Sequence, residues 1–148
     1  MKFEKFVKGC GTYGQVYTRP NGEKWLICEG VGMLIPHGVN NLLGVGEVPE
    51  RIKTLVESLI MADTTDRVEL TRATVSADGK AKDIVRWFGD DSHSYNIGID
   101  NADFGLLERK DINLALVEVE DDEDELLDNK YLLVLDQSDN VIGFIKEK

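Results

Sequence analysis

The apolar residues of this chain keep helical spacing over one stretch and a period of two beyond it, and that change does most to limit what it can fold into. Over residues 50–60, Ile52, Leu55, Val56, Leu59 and Ile60 recur at the spacing of one buried helix face, with Pro49 suited to the first turn. Glu50, Arg51, Lys53 and Glu57 fall on the other side and are expected to face water. Beyond this helix the period becomes two. RVELTRATV, KAKDIVRWF, SYNIGI, INLALVEVE, YLLVL and VIGFI read as strands, with SADG, GDDS and DQSDN as turns between them. Asp78-Gly79 permits the positive torsions of a tight hairpin. DNADFGLLERKD is a turn-rich connector.

Upstream of the helix, residues 2–7 and 14–18 alternate as strands, RPNGEK turns into KWLICEG, and GMLIP adds a short strand before the loop HGVNNLLGVGE. About ten short strands and one helix predict an α+β fold, mostly antiparallel sheet of short strands with one main amphipathic helix. With no internal repeat and no Pro- or Ser-rich linker, residues 1–148 read as a single α+β domain.

The 148 residues carry 17 Lys and Arg against 28 Asp and Glu, for a net charge of −11. The first 74 residues are balanced, so the whole excess lies in the second half. A generally basic nucleic-acid footprint is missing, which leaves direct nucleic-acid binding unassigned. Eight of the eleven residues over 118–128, EVEDDEDELLD, are carboxylates, expected to form a solvated loop or a frayed helical turn. The functional alternative for this run is a docking surface for a basic partner.

Cys10 and Cys28 stand eighteen positions apart, without C-x-x-C or a histidine cluster, so neither a zinc site nor a disulfide framework is expected. They read as two reduced thiols in or near the core. MKFEKFVKG has no apolar leader segment, and the most apolar stretch, VGMLIPHGVNNLLGVG, is interrupted by Pro36 and His37. It falls short of the roughly 20 residues a membrane span needs. A cytoplasmic protein with no membrane association is expected.

Two fragments imitate a protein kinase. GCGTYGQV over residues 9–16 matches the glycine-rich phosphate loop through Gly9, Gly11 and Gly14, and Asp103-Phe104-Gly105 matches the metal-binding motif. Lys24 with Glu50 or Glu57 could imitate the phosphate-holding ion pair. The catalytic loop H-R-D-x-x-x-x-N and the A-P-E motif are missing from the sequence, so nothing would activate an acceptor hydroxyl. The glycines are expected to make a turn, Asp103 and Gly105 likewise, and Phe104 to anchor the core. In DQSDNVIGFIKE, Asp136, Ser138, Asn140 and Glu147 occupy calcium-loop positions, but Val141 stands where glycine is required. Cys10 or Cys28 with His37 or His93 has no local signature of a nucleophile and its base. No catalytic residue, cofactor or metal is assigned.

KFVKGCGTYG with NGEKWL, SADGKAKDIVR and NADFGLLERKD together resemble a group of small uncharacterised proteins associated with prophages of Gram-positive gut bacteria. The resemblance implies a phage-derived accessory protein and carries no catalytic residues. The order of one helix, antiparallel strands and the closing YLLVLDQSDNVIGFI hairpin is also similar to one module of a DNA sliding clamp, without the Met-Pro segment typical of a clamp C-terminus. Lys80, Lys82 and Arg86 would then supply a basic surface.

The leading expectation is therefore a non-enzymatic prophage-derived accessory protein acting through protein binding or assembly, with room for a homo-oligomer. Its alternatives are a DNA-replication accessory with a clamp-like fold and an acidic decoy that blocks a DNA-binding protein. If the glycines only form a turn, magnesium and ATP will leave the melting temperature and the hydrogen exchange of residues 9–17 unchanged. A saturable upward shift of the melting temperature would restore the nucleotide-binding reading.

Overall fold

The two periods of the sequence resolve, in a computed structural model, into two sheets and three helices, described over residues 1–39, 46–75, 84–90, 97–108, 110–121 and 124–148. In chain order these are α1 (Phe3–Cys10), β1 (Gln15–Thr18), β2 (Lys24–Cys28), β3 (Val31–Leu34), β4 (Gly46–Glu47) and α2 (Glu50–Ile60). There follow β5 (Glu69–Thr74), β6 (Val85–Gly89), β7 (Ile97–Asp100), α3 (Asn101–Phe104), β8 (Asn113–Asp121), β9 (Asp124–Leu135) and β10 (Val141–Lys146). The larger sheet runs β4-β1-β2-β3-β10-β9-β8 and the smaller β5-β6-β7. Every pairing is antiparallel except that of β4 with β1. The expected α+β architecture is the one observed.

Turn chemistry sets the hairpins. Between β1 and β2, Gly22 adopts φ 89° and the Arg19 amide donates to the Glu23 carbonyl at 2.7 Å. Between β2 and β3 only Glu29 and Gly30 intervene, at φ 50° and 82°, the left-handed pair a two-residue turn requires. At the last hairpin the Asp136 carboxylate accepts from the backbone amides of Ser138 and Asn140, both at 2.9 Å. The Asp78-Gly79 turn, the second half of GDDS and most of the loop after His37 lie outside the described residues.

The larger sheet is covered on both faces. Along β2, Trp25 and Ile27 enter one core while Leu26 enters the other. Along β9, Tyr131, Leu133 and Leu135 alternate with Leu132 and Val134 in the same way. That is why YLLVL is apolar without interruption. One core packs on α2 through Val56 and Leu59, which are fully buried; the other packs on α1, the smaller sheet and Leu106–Leu107. Ile52, Leu55 and Ile60 of the expected helix face are only partly buried. Glu57 is not simply solvated: its carboxylate accepts from Arg19 Nε at 2.9 Å, Arg19 Nη2 at 3.2 Å and the Tyr17 hydroxyl at 2.8 Å. This forked pair ties α2 to β1.

Three sequence expectations are corrected. Residues 3–7 belong to α1, with Lys2 as its N-cap, rather than to a strand, because Phe3, Phe6, Val7 and Cys10 fall at helical spacing and pack together into one core. Glu4 in the first turn and Lys8 in the last suit the helix dipole, and Gly11, at φ 54°, ends the helix by donating to the Val7 carbonyl. Asp103 and Phe104 lie in the helical turn α3 instead of an irregular connector. The described part of the acidic run, residues 118–121 and 124–128, lies in the outer ends of β8 and β9 rather than in a loop or helix, with Glu118 opposite Lys130 and Val119 opposite Asn129 in the ladder. Its period of two, carried by Val117 and Val119, continues the strand.

Gly32 lies opposite Phe144 in the ladder, and a Cβ there would overlap the Phe144 ring, which also stacks on Trp25 at 6.0 Å. Gly32→Ala is expected to cost about 1–3 kcal/mol in urea unfolding, the usual penalty of overpacking. Gly9→Ala, in helix α1 with nothing within 4 Å of the added methyl, should be neutral or stabilising by up to about 1 kcal/mol. Equal midpoints for the two variants would refute the packing at Gly32.

Candidate functional site

The motif residues separate in space into ordinary structural roles. Gly9 lies in α1 and Gly11 caps it, so the glycine-rich stretch is not a loop between two strands. Gly14 is packed against Leu26 and Cys10. Lys24 begins β2, while Glu50 is paired with Lys53 and Glu57 with Arg19, so the imitated kinase ion pair is not formed. Asp136 spends its carboxylate on its own turn, and Glu147 accepts from the Lys130 amide at 3.1 Å. The calcium-loop positions do not converge. His37 is exposed; His93, Lys80 and Lys82 lie outside the described residues. Among the described residues, no three His, Cys, Asp or Glu are grouped to hold a metal ion.

A cleft of about 1020 Å³ opens where the chain passes from one sheet to the other. The Val68 amide donates to Leu114 of β8 at 3.0 Å, and the next residue begins β5 of the smaller sheet. Phe88, Leu107 and the half-buried Phe104 give the cleft an apolar floor. Phe88 and Phe104 have ring centroids 6.2 Å apart, and the Arg86 guanidinium lies 4.8 Å from the Phe104 centroid. Lys2 and Lys5 come from the α1 side, Lys5 donating to the Gly105 carbonyl at 3.2 Å. Arg67, paired with Asp139 at 3.2 Å, also lines the cleft, and Leu70 remains 47% exposed. Such a surface can hold apolar groups by burial and orient a polar neighbour through its mixed charges.

These residues come from α1, β5, β6, α3 and the start of β8, so no local motif announces them. The one legible hint was Phe104 as a core anchor. Sequence spacing also hid that Cys10 and Cys28 pack in one core.

Among the described carboxylates, Asp103 has the most displaced pKa. Burial, then the nearby carboxylates of Asp100 and Glu29, push its pKa up to about 6. Because the folded value exceeds the unfolded one, the native state holds the extra proton between about pH 6 and pH 4 and gains stability as pH falls through that window. Glu57 acts oppositely, since its hydrogen bond from Arg19 lowers its pKa; its contribution is lost only at more acid pH. Asp103→Asn should therefore raise stability at pH 7, by at most about 3 kcal/mol, and remove the gain between pH 7 and pH 5. Thermal unfolding across that range checks it; a variant less stable at pH 7 would show the Asp103 charge to be stabilising.

No helix among the described residues is long and apolar enough to cross a membrane. Compared with protein-family models, curated proteins and solved structures, the chain has no significant match.

Proposed function

We propose that this protein acts by binding, holding an apolar segment of a partner protein in the cleft between its two sheets. The observation that carries this reading is the aromatic and aliphatic floor of Phe88, Phe104 and Leu107 beside the exposed Leu70. A surface leucine beside buried aromatics gives a docking chain apolar area to cover, which is the main source of association energy. The cleft's volume of about 1020 Å³ is at the upper limit of the roughly 300–1,000 Å³ typical of small-molecule sites, and favours a chain segment over a compact metabolite. Lys2, Lys5 and Arg67 line it together with Glu69, Glu108 and Asp139, a mixed charge that suits a polypeptide better than a polyanion. A prophage-derived accessory role accords with the resemblance of the blocks at residues 5–14, 21–26, 76–86 and 101–111.

A photoreactive benzophenone side chain at Leu70, with Tyr13 as a second site at 80% exposure outside the cleft, tests the reading in the source cell. Irradiation is expected to give one discrete protein adduct from position 70 and none from position 13, lost when Phe104→Asp is added. An adduct with a second copy of this chain would make the function assembly. Adducts equal from both positions, or capture abolished by neutralising residues 118–128 but not by Phe104→Asp, would overturn the cleft and favour the acidic-decoy reading.

A further inference from the structure

We infer that Cys10 and Cys28 are a modification site: they form a reversible intramolecular disulfide that links the end of α1 to the end of β2. Gly14 is what brings the two side chains together. In the β1–β2 ladder Gln15 lies opposite Ile27, so Gly14 stands level with Cys28 across the hairpin. A Cβ at Gly14 would lie 3.4 Å from Cys10 Cβ and 3.9 Å from its Sγ, so Cys10 occupies the space that a side chain at position 14 would fill. A Cβ there would also lie 3.0 Å from Leu26 Cδ1. Leu26 and Cys28, two apart on one strand, share a face, and both pack in one core with Cys10. Cys10 and Cys28 thereby approach the same point of the hairpin and share one core.

Access decides the order of events. Cys10 is buried and Cys28 is partly exposed, so reaction begins at Cys28. Its thiol loses a proton to solvent, and the thiolate attacks one sulfur of a low-molecular-weight disulfide, forming a mixed disulfide and expelling one thiolate. Cys10, giving its own proton to solvent, then attacks the Cys28 sulfur; the protein disulfide forms and the second small thiolate leaves. Both expelled thiolates take up a proton, so the protein dithiol is oxidised by two electrons and the small disulfide reduced to two thiols. Burial, followed by the neighbouring Cys28 thiol, pushes the Cys10 pKa up to about 12. The second step is consequently the slow one, and it accelerates as pH rises.

Oxidised glutathione on the folded full-length chain is the probe, with intact mass read under non-reducing conditions. The expected course is a transient adduct of one glutathione at Cys28, then a species lighter than the starting protein by two hydrogens, with Cys10 and Cys28 joined in the peptide map. The oxidised form should melt higher and return to the original melting temperature with dithiothreitol, since the link restricts the unfolded chain. Cys10→Ser should stop at the adduct and Cys28→Ser should stay unmodified. Wild type alone decides the question if either variant misfolds. A lasting adduct, an intermolecular dimer, no reaction, or a link formed only after unfolding in urea would each overturn the inference.

Discussion

Residues 131–135 bury five consecutive side chains, which alternate between two separate cores. Such a strand cannot lie at the surface of a two-layer domain, because either face left bare would expose leucines to water. Both covers follow from that constraint. The helix α2 supplies one through Val56 and Leu59; α1, the smaller sheet and Leu106–Leu107 supply the other. The neighbouring strand β10 obeys the same rule, with Phe144 on one side and Ile145 on the other. Phe144 then dictates Gly32 opposite it, since only a residue without a side chain lets the ring lie across β3.

Polar interactions trim this arrangement at its margins. Arg19 forks onto Glu57 and also reaches Glu23 at 3.0 Å, while Trp25 Nε1 donates to Glu23 at 2.9 Å. The network gives the buried indole a partner and aligns α2 over β1 and β2. It lies at the edge of the core, where Arg19 and Glu57 keep 16% and 35% of their side-chain surface, so solvent screens it and its part is orientation more than stability.

The cleft is a by-product of the same layering. Residues 66–68 pair with β8 through Leu116 to Asp66 and Val68 to Leu114, after which the chain leaves for the smaller sheet. The two sheets part beyond this crossing, and the gap retains the apolar character of the core from which it opens. On the opposite margin of α1, Cys10 and Cys28 meet over Gly14. Helix α1 thus borders the proposed binding cleft through Lys2 and Lys5 and carries half of the proposed thiol pair at its other end.

The α+β class, the main helix, the hairpin turns at Gly22 and after Asp136, and the closing β9–β10 hairpin were legible in the sequence alone. Each depends on neighbours within a few positions: a repeating apolar residue, a glycine free to take positive φ, or an aspartate bonding the amides after it. What tertiary structure decided lies beyond that range. Residues 2–7 alternate enough to pass for a strand, and only a core able to receive Phe3, Phe6, Val7 and Cys10 on one side makes them helical. The acidic run reads as a loop until β9 supplies the ladder for β8. The thiols look unrelated until the helix is folded back over the hairpin, and the cleft draws on five separated elements. Local torsional and hydrogen-bonding preferences are written residue by residue, whereas burial depends on a partner that no single segment contains.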